Sequence, residues 1–433
     1  MSSTTIKNTR NILMILFNFP PSGAVGSFRG IRFIKHLGHY QWFPHVLAPL
    51  NGYYSHYDFG LAESVAGKCE IHRVKWVPPL WLVGEDRMAE PPAYGRLMLR
   101  IWDKVLVPDG KISWLATALP AASKLIKEKN INIVFASGGP FSSMVLGAML
   151  KRRLGVKLVL DYRDPWSLPA MTMQRYNSFT LRLNRMIEKR VLGIADKVVM
   201  VSDHLLQQYQ TQFPDIPKDR FVTITNSYDE SLKAEYEKIS YAKKHDGIFR
   251  VVYAGNFYGN RTPHRFFEAM ERIVHDNPSL GRTIRFICVG ANRIEKYRDD
   301  IRKRGLSDQV SFFQRVSLSE VLRFYKEADA LLLINSYGMG NEVFIPQKAF
   351  DYLMTGKPIL CLTQPGSLYH LLKDKPQAVI ADPTDASDIA KALTALISDS
   401  LGKKEQHESV QNIHGAFEKT GQLASVLEAL LCV

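Results

Sequence analysis

Apolar residues along the chain fall into short continuous runs, separated by stretches in which they recur every three or four positions, and this alternation occurs twice over. In the first half the runs are NILMILFNF (11–19), FPHVLAP (43–49), INIVFAS (131–137), VKLVLDY (156–162), DKVVMVS (196–202) and FVTITN (221–226). In the second they are FRVVYAG (249–255), TIRFICVG (283–290), QVSFFQ (309–314), ADALLLIN (328–335), GKPILCL (356–362) and QAVIAD (377–382). Runs rich in Val, Ile and Phe that alternate with helical patterns predict parallel strands buried on both faces. The expected class is α/β, with two doubly wound domains.

The polar segment DESLKAEYEKISYAKKHDG (229–247) divides the two sets of runs. It predicts a first domain over 1–228, a linker over 229–248 and a second domain over 249–409. From 410 to 433, Phe417, Leu423, Val426, Leu427 and Leu430 stand at helical spacing and predict a long helix returning to the first domain. Residues 73–107 mix Pro, aromatics and Arg, and mark an insertion spanning about 51–115. A length of 433 residues with 46% hydrophobic positions suits two folded domains. The apolar run Asn11 to Phe19 ends in Pro20-Pro21 and lacks a small-residue cleavage pattern, so it reads as a strand and not a signal peptide. No window reaches the roughly 18–20 apolar residues that span a bilayer, so any membrane contact is expected to be peripheral.

Charge sharpens this picture. The chain carries 56 Lys and Arg against 42 Asp and Glu, a net +14. Residues 1–200 hold 27 basic and 13 acidic side chains, whereas 201–433 hold 29 of each, so the excess belongs to the first half. All six tryptophans lie there too. Arg96, Arg100, Lys104, Lys151, Arg152 and Arg153, interleaved with Trp76, Trp81 and Trp102, suit an anionic membrane surface; a solvated basic face is the plainer reading. No zinc finger, RNP-like aromatic pattern or basic recognition helix is visible, and nucleic acid is not expected as a partner. Cys69, Cys288, Cys361 and Cys432 are far apart, with no C-x-x-C pair and no His at metal-ligand spacing. Reduced thiols, a cytoplasmic location and no metal site are the expectation.

In doubly wound domains ligands lie beyond the carboxyl ends of strands, so chemistry is sought in the strand-to-helix loops. The first loop offers Gly23 and Gly26 before a helix whose amino end can hold an anion. Gly138 and Gly139 open the second loop. The third, Asp161-Tyr162-Arg163-Asp164-Pro165-Trp166, places Asp161 to pair with Arg163 and leaves Asp164 as either a functional carboxylate or a turn former. In the second half, Gly255, Asn256 and Arg261 form a Gly-rich loop suited to clamping phosphate. Tyr337 to Lys348 leads into a helix begun by Pro346. There Gln347 and Lys348 stand at the amino end, Asp351 one turn along can accept bonds from vicinal hydroxyls, and Gly356 ends it. A Lys and an Asp on a solvated helix account for the same pattern. No P-loop, GxSxG elbow or Asp-x-Asp pair occurs.

At these loops the chain resembles the GT-B glycosyltransferases, and within them the family 4 group of retaining enzymes. The matching segments are PPSGAVGSFRGIRFIKHLGHY (20–40), ASGGPFSSMVLGAMLKRRLGVKLVLDYRDPW (136–166), IEKRVLGIADKVVMVSDHL (187–205), ITNSYD (224–229), VYAGNFYGNR (252–261), VSFFQRVSLSEVLRFYKEADALLL (310–333) and PQKAFDYLMTGKPIL (346–360). Members with a D-x-RDPW segment resemble enzymes of surface or exopolysaccharide assembly. The resemblance implies a GT-B architecture, with a nucleotide-sugar donor, UDP- or GDP-linked, held by the second domain, and a glycan or lipid-linked acceptor held by the first. It implies metal-independent transfer with retention, no further cofactor, and work at the cytoplasmic face of the membrane.

Residue by residue, the resemblance puts Arg261 and Lys348 on the diphosphate, with Asn256 where many members have an Arg. Asp351 falls on the second acidic position of the family's E-x7-E motif. The first position falls on Val343, with Glu342 one residue off: either a one-residue adjustment lets Glu342 act as the catalytic carboxylate at the donor sugar, or that contact is absent. In the acceptor loop, Arg163-Asp164 stands where a His is common, so Asp164 takes the catalytic place beside Gly138 and Gly139. A catalytically silent module that binds nucleotide sugars, or a sugar-nucleotide epimerase, uses the same scaffold.

Overall fold

The computed structural model describes residues 9–50, 52, 54, 57–76, 106–168, 178–242, 246–291, 294–402 and 414–432. They form two compact units, one of residues 1–226 with 416–433 and the other of residues 227–415.

The first unit is built on seven strands: β1 Arg10–Ile15, β2 Trp42–Pro49, β3 Glu70–Val74, β4 Ile133–Ser137, β5 Lys157–Tyr162, β6 Lys197–Met200 and β7 Phe221–Thr223, in the order β3-β2-β1-β4-β5-β6-β7. The second has six: β8 Phe249–Ala254, β9 Ile284–Val289, β10 Val310–Phe313, β11 Ala330–Ile334, β12 Ile359–Leu362 and β13 Ala378–Ala381, in the order β10-β9-β8-β11-β12-β13. Every neighbouring pair is parallel. In each sheet the order reverses after the first strand, between β1 and β4 and between β8 and β11. These reversals are topological switch points, where two strand-end loops diverge and leave a crevice.

All twelve apolar runs became strands. The thirteenth, β3, escaped because EIHRV carries charge and imidazole where an inner strand carries Val and Ile. As an edge strand it is only partly buried, so the apolar signal is weak.

The helices that matter for the site are α1 Val25–Leu37, α2 Leu115–Glu128, α3 Ser142–Leu154, α4 Ser178–Ile194, α5 Glu230–Lys238, α6 His264–Asp276, α7 Gln347–Thr355 and α8 Ala416–Leu431. Residues 229–248, expected as a linker, hold α5 and fall within the second unit. Asp229 caps this helix by accepting from Ser231 N at 3.0 Å, and Leu232, Tyr236 and Ile239 face the core that holds Val252 and Leu331. Three apolar residues at i, i+4 and i+7 suffice for a helix whose remaining positions are solvated. α8 joins the first unit, where Leu423, Ala424, Leu427 and Leu430 pack with Ile31, Ile34 and Leu37 of α1.

Trp42, Trp76, Trp114 and Trp166 are all buried. Trp76 therefore belongs to the core and not to a membrane-facing surface; its indole Nε1 donates to Ser113 Oγ at 3.1 Å. Trp81, Trp102, Arg96, Arg100 and Lys104 lie outside the described residues, as does most of the 51–115 insertion. Among the described residues no helix is long and apolar enough to cross a membrane, and the four cysteines are free.

Candidate active site

In the second unit the switch point lies between the loop after β8 and the loop after β11. Gly255 directly follows β8 with a φ of +120°, a conformation that disfavours any residue with a side chain. Its missing Cβ also makes room: a Cβ there would stand 2.6 Å from Lys348 Nζ. Lys348, in the first turn of α7, crosses this glycine and lies 4.0 Å above the ring of Tyr253. Burial, and then the nearby Arg261 guanidinium, push its ammonium down to about 7.

Arg261 is fixed by neutral partners. Nε donates to Ser336 Oγ at 2.7 Å, Nη2 to Asn335 Oδ1 at 3.2 Å, and Nη1 to the Tyr258 hydroxyl. Neither Lys348 nor Arg261 forms an ion pair with a carboxylate among the described residues. α7 has no side-chain cap at its amino end and no acidic residue in its first turn, so the helix dipole adds to the same positive field. Asp351, one turn along α7, gives Lys348 some electrostatic support, but two basic groups held together with no carboxylate in direct contact among the described residues are costly unless an anion joins them.

Beside them is a pocket of about 420 Å³ lined by Asn335, Ser336, Gly338, Glu342, Thr363 and Gln364, among others. Glu342 faces this pocket, whereas Val343 is 1% exposed and part of the core. Gly366 packs against the Glu342 backbone, and Ser367 N donates to its carbonyl at 2.7 Å. Gln347 Nε2 donates both to Asp351 Oδ1 at 3.0 Å and to Ser227 O at 2.9 Å. It positions the Asp351 carboxylate one turn into α7. Asn256 turns its amide back on its own loop, with Oδ1 accepting from Phe257 N at 3.0 Å.

In the first unit, Arg163 does not offer a free guanidinium to an acceptor. Nη1 donates to Gly26 O at 2.5 Å, Nε to Gly138 O at 2.8 Å and Nη2 to Gly139 O at 2.6 Å. It straps the two glycine loops together, with Asn18 Nδ2 adding a bond to Gly139 O at 3.0 Å. A Cβ on Gly26 would meet this guanidinium, which explains the glycine better than ligand approach does. Gly23 lies in the turn before α1. Asp161 pairs with Arg29 and not with Arg163: Arg29 Nε donates to Asp161 Oδ1 at 2.9 Å, Ser137 Oγ donates to Oδ2 at 2.8 Å, and both charged groups are buried. That leaves Asp164, which is exposed at the carboxyl end of β5, as the loop's accessible carboxylate.

Trp166 stacks on Phe141, with ring centroids 5.0 Å apart. Its indole donates to Asn184 Oδ1 at 2.7 Å. Ser167 N and the Tyr209 hydroxyl donate to Glu188 of α4 at 3.1 and 2.6 Å. Burial raises the Glu188 carboxyl to about 7 against the opposing pull of these donors.

Residues 72–232 match the family model described as Glycosyltransferase Family 4, and residues 236–414 match the one described as Glycosyl transferases group 1. The chain belongs to the GT-B glycosyltransferases of the family 4 type. In solved structures this glycosyltransferase resembles sucrose-phosphate synthase from Thermosynechococcus elongatus, with a TM-score of 0.66 and 14% identity over 98% of this chain and 99% of that one. A glycosyltransferase from Rickettsia africae superposes with a TM-score of 0.65 at 13% identity, covering 98% and 99%. Anabaena HepE, solved with UDP-glucose, gives 0.63 at 14% identity over 97% and 99%. At these identities the likeness is one of fold. None of the curated proteins matches in sequence.

The glycosyltransferase's second unit thus gathers Gly255, Arg261 and Lys348 in one place, with Glu342 in the pocket beside Arg261's partners. Sequence reasoning missed Asn335, Ser336 and Tyr253, which orient the two cations. The polar pair Asn-Ser directly after the ADALLLI run, at a strand end, was the signal available. Arg29 escaped because only the folded chain brings it to Asp161.

Proposed function

We propose that this glycosyltransferase binds a nucleotide-diphosphate sugar in its second unit. Arg261 and Lys348 hold the diphosphate, Asp351 accepts from the ribose hydroxyls, and Glu342 meets the sugar in the pocket. The observation that carries the reading is the juxtaposition of Arg261, in the loop after β8, and Lys348, in the first turn of α7, neither in an ion pair with a carboxylate among the described residues.

In the proposed reaction the bond from the anomeric carbon to the diphosphate breaks, and a bond to the acceptor oxygen forms on the same face. The acceptor proton passes to the departing diphosphate. Arg261, Lys348 and the amino end of α7 stabilise the charge that grows on the leaving group, so no step is routed through a metal ion. The acceptor is taken up at the first unit's loops, where Asp164 is the carboxylate in reach.

A glycan acceptor carried on lipid, in polysaccharide assembly at the cytoplasmic face of a membrane, fits the basic first unit. Arg152 and Arg153 of α3 and Arg182, Arg185, Lys189 and Arg190 of α4 are exposed, beside Phe179 at 77% and Met186 at 63% exposure. Such a mixture of cations and apolar tips suits an anionic lipid surface.

The test is a panel of UDP-, GDP- and dTDP-sugars, read by thermal shift and then by donor hydrolysis or transfer to membrane extract. One nucleotide class should stabilise the protein, and Arg261→Ala should abolish that shift. Stabilisation that survives Arg261→Ala would sink the diphosphate assignment. Binding without any turnover would mean a nucleotide-sugar-binding module.

A further inference from the structure

We propose that His45, Glu70 and His72 form a site for a divalent transition-metal ion of the zinc type, on the edge of the first unit's sheet and separate from the donor and acceptor loops. The three residues are brought together by strand register. In the parallel pair β2 and β3, His45 stands opposite Glu70 and Leu47 opposite His72. Glu70 and His72 are two apart on β3 and so share one face of it, and His45 lies beside them on β2.

The distances are those of a coordination polyhedron. His45 Nδ1 is 3.3 Å from His72 Nε2 and 3.3 Å from Glu70 Oε2, and His72 Nε2 is 3.6 Å from Glu70 Oε1. One donor atom from each residue lies within 4.8 Å of the others. Zinc bonds of about 2.0–2.1 Å in a tetrahedron put neighbouring ligand atoms about 3.3–3.4 Å apart. The two imidazoles and the carboxylate therefore need little movement to share one ion.

His45 is itself 2% exposed, and its Nε2 has no hydrogen-bond partner. Its ring is held by packing, with Phe43 and His72 centroids at 5.3 and 5.5 Å. Its polar contacts all run through Nδ1, and they run to two other metal-binding side chains.

Lys129, just past the end of α2, supplies the cation now beside the cluster, with Nζ 2.9 Å from Glu70 Oε2. Its side chain is 38% exposed and free to swing into water, and Glu70 Oε1, on the His72 side, is not part of that bond. His72 is 23% exposed, which admits the ion and leaves a fourth position for water. Two imidazole nitrogens with one carboxylate oxygen favour zinc, copper or nickel over magnesium and calcium.

The place of the site gives its role. Glu70 is the first residue of β3, at the amino edge of the sheet, while the candidate acceptor loops leave from carboxyl ends. A bound ion would fasten the edge strand to β2 and contribute to stability, not to transfer.

The test uses the tag-free, metal-stripped full chain, titrated with Zn²⁺ in competition with a chromophoric chelator, with Tm read in parallel and Co²⁺ as a spectroscopic probe of geometry. One equivalent of Zn²⁺ should bind and raise Tm, while Mg²⁺ and Ca²⁺ should leave it unchanged. His72→Ala and Glu70→Gln, both at partly exposed side chains, should each weaken Zn²⁺ binding by at least roughly tenfold without losing the far-ultraviolet circular dichroism of the parent. Lys129→Ala should tighten it. Zn²⁺ affinity and Tm response unchanged in both His72→Ala and Glu70→Gln would overturn the site. Loss of nucleotide binding in a folded His72→Ala would overturn its separateness from the donor site.

Discussion

Lys348 is an ammonium held near neutrality by burial and by Arg261, and that makes its charge conditional. In the proposed complex it is already protonated below pH 7 and meets the diphosphate as a cation. Above pH 7 the free protein has lost the proton and must take it up again to bind. Affinity for the nucleoside diphosphate that the sugar panel identifies should therefore fall by up to roughly tenfold per pH unit above 7, and calorimetry in buffers of different ionisation heat should detect the proton uptake. A pH-independent affinity from 6.5 to 8.5 would contradict the placement of Lys348 on the ligand. Arg261→Ala should cost about 1.5–3 kcal/mol of nucleoside-diphosphate binding, the usual worth of hydrogen bonds to a charged group. Gly255→Ala should do comparable damage by a different route, since the new methyl both strains the backbone and displaces the Lys348 ammonium. Arg261, Lys348 and Gly255 were legible in the sequence because a glycine at a strand end and a cation at a helix start are local patterns. Arg163 was not. Its three acceptors come from two loops far apart in sequence, and no local pattern reports that a guanidinium is already occupied by carbonyls.

The elements of the first unit are locked by charges that the solvent never sees. Arg29 on α1 joins Asp161 at the end of β5, and Nη2 donates to Ile224 O at 2.8 Å just past β7. Arg29→Ala should destabilise the unit by about 3–5 kcal/mol, because it strands a buried carboxylate; denaturant unfolding measures it. Glu188 ties α4 to the chain after β5 through Ser167 and Tyr209, and its carboxyl is raised by burial from 4.5 to about 7. The folded state thus holds a proton that the unfolded chain releases. The stability this contributes is complete below pH 4.5 and is lost as pH rises through 7. Glu188→Gln should flatten the dependence of Tm on pH across that window, and a slope identical to the parent's would count against the assignment. Twelve strands, the edge strands β7, β10 and β13 among them, could be read from apolar runs alone, whereas β3 and α5 could not. Both bury one face only, so most of their residues report solvent and not the core.

Across the whole molecule, the sequence places its surplus charge in the first half, and the structure adds which aromatics cannot share in surface work. With Trp42, Trp76, Trp114 and Trp166 in the core, the exposed large apolar groups on the basic helices α3 and α4, among the described residues, are Met149, Phe179 and Met186. Vesicles containing anionic lipid should bind the protein, and raising salt should release it. Arg182→Glu with Arg185→Glu should weaken co-sedimentation while leaving nucleoside-diphosphate affinity intact; salt-insensitive binding would point to some other contact. The return of α8 to the first unit has a consequence in time as well as in space. The chain leaves that unit at residue 226 and re-enters it at 416, so the second unit is, in topology, a long insertion within the first. Proteins usually complete their amino-terminal domain first as they emerge from the ribosome. Here the seven strands of the first sheet also come first, but residues 227–415 are all made before Leu423, Leu427 and Leu430 arrive to cover α1. A chain released before Leu423 would carry the second unit joined to a first unit whose α1 is uncovered, so α8 closes the first unit only after the second has been made.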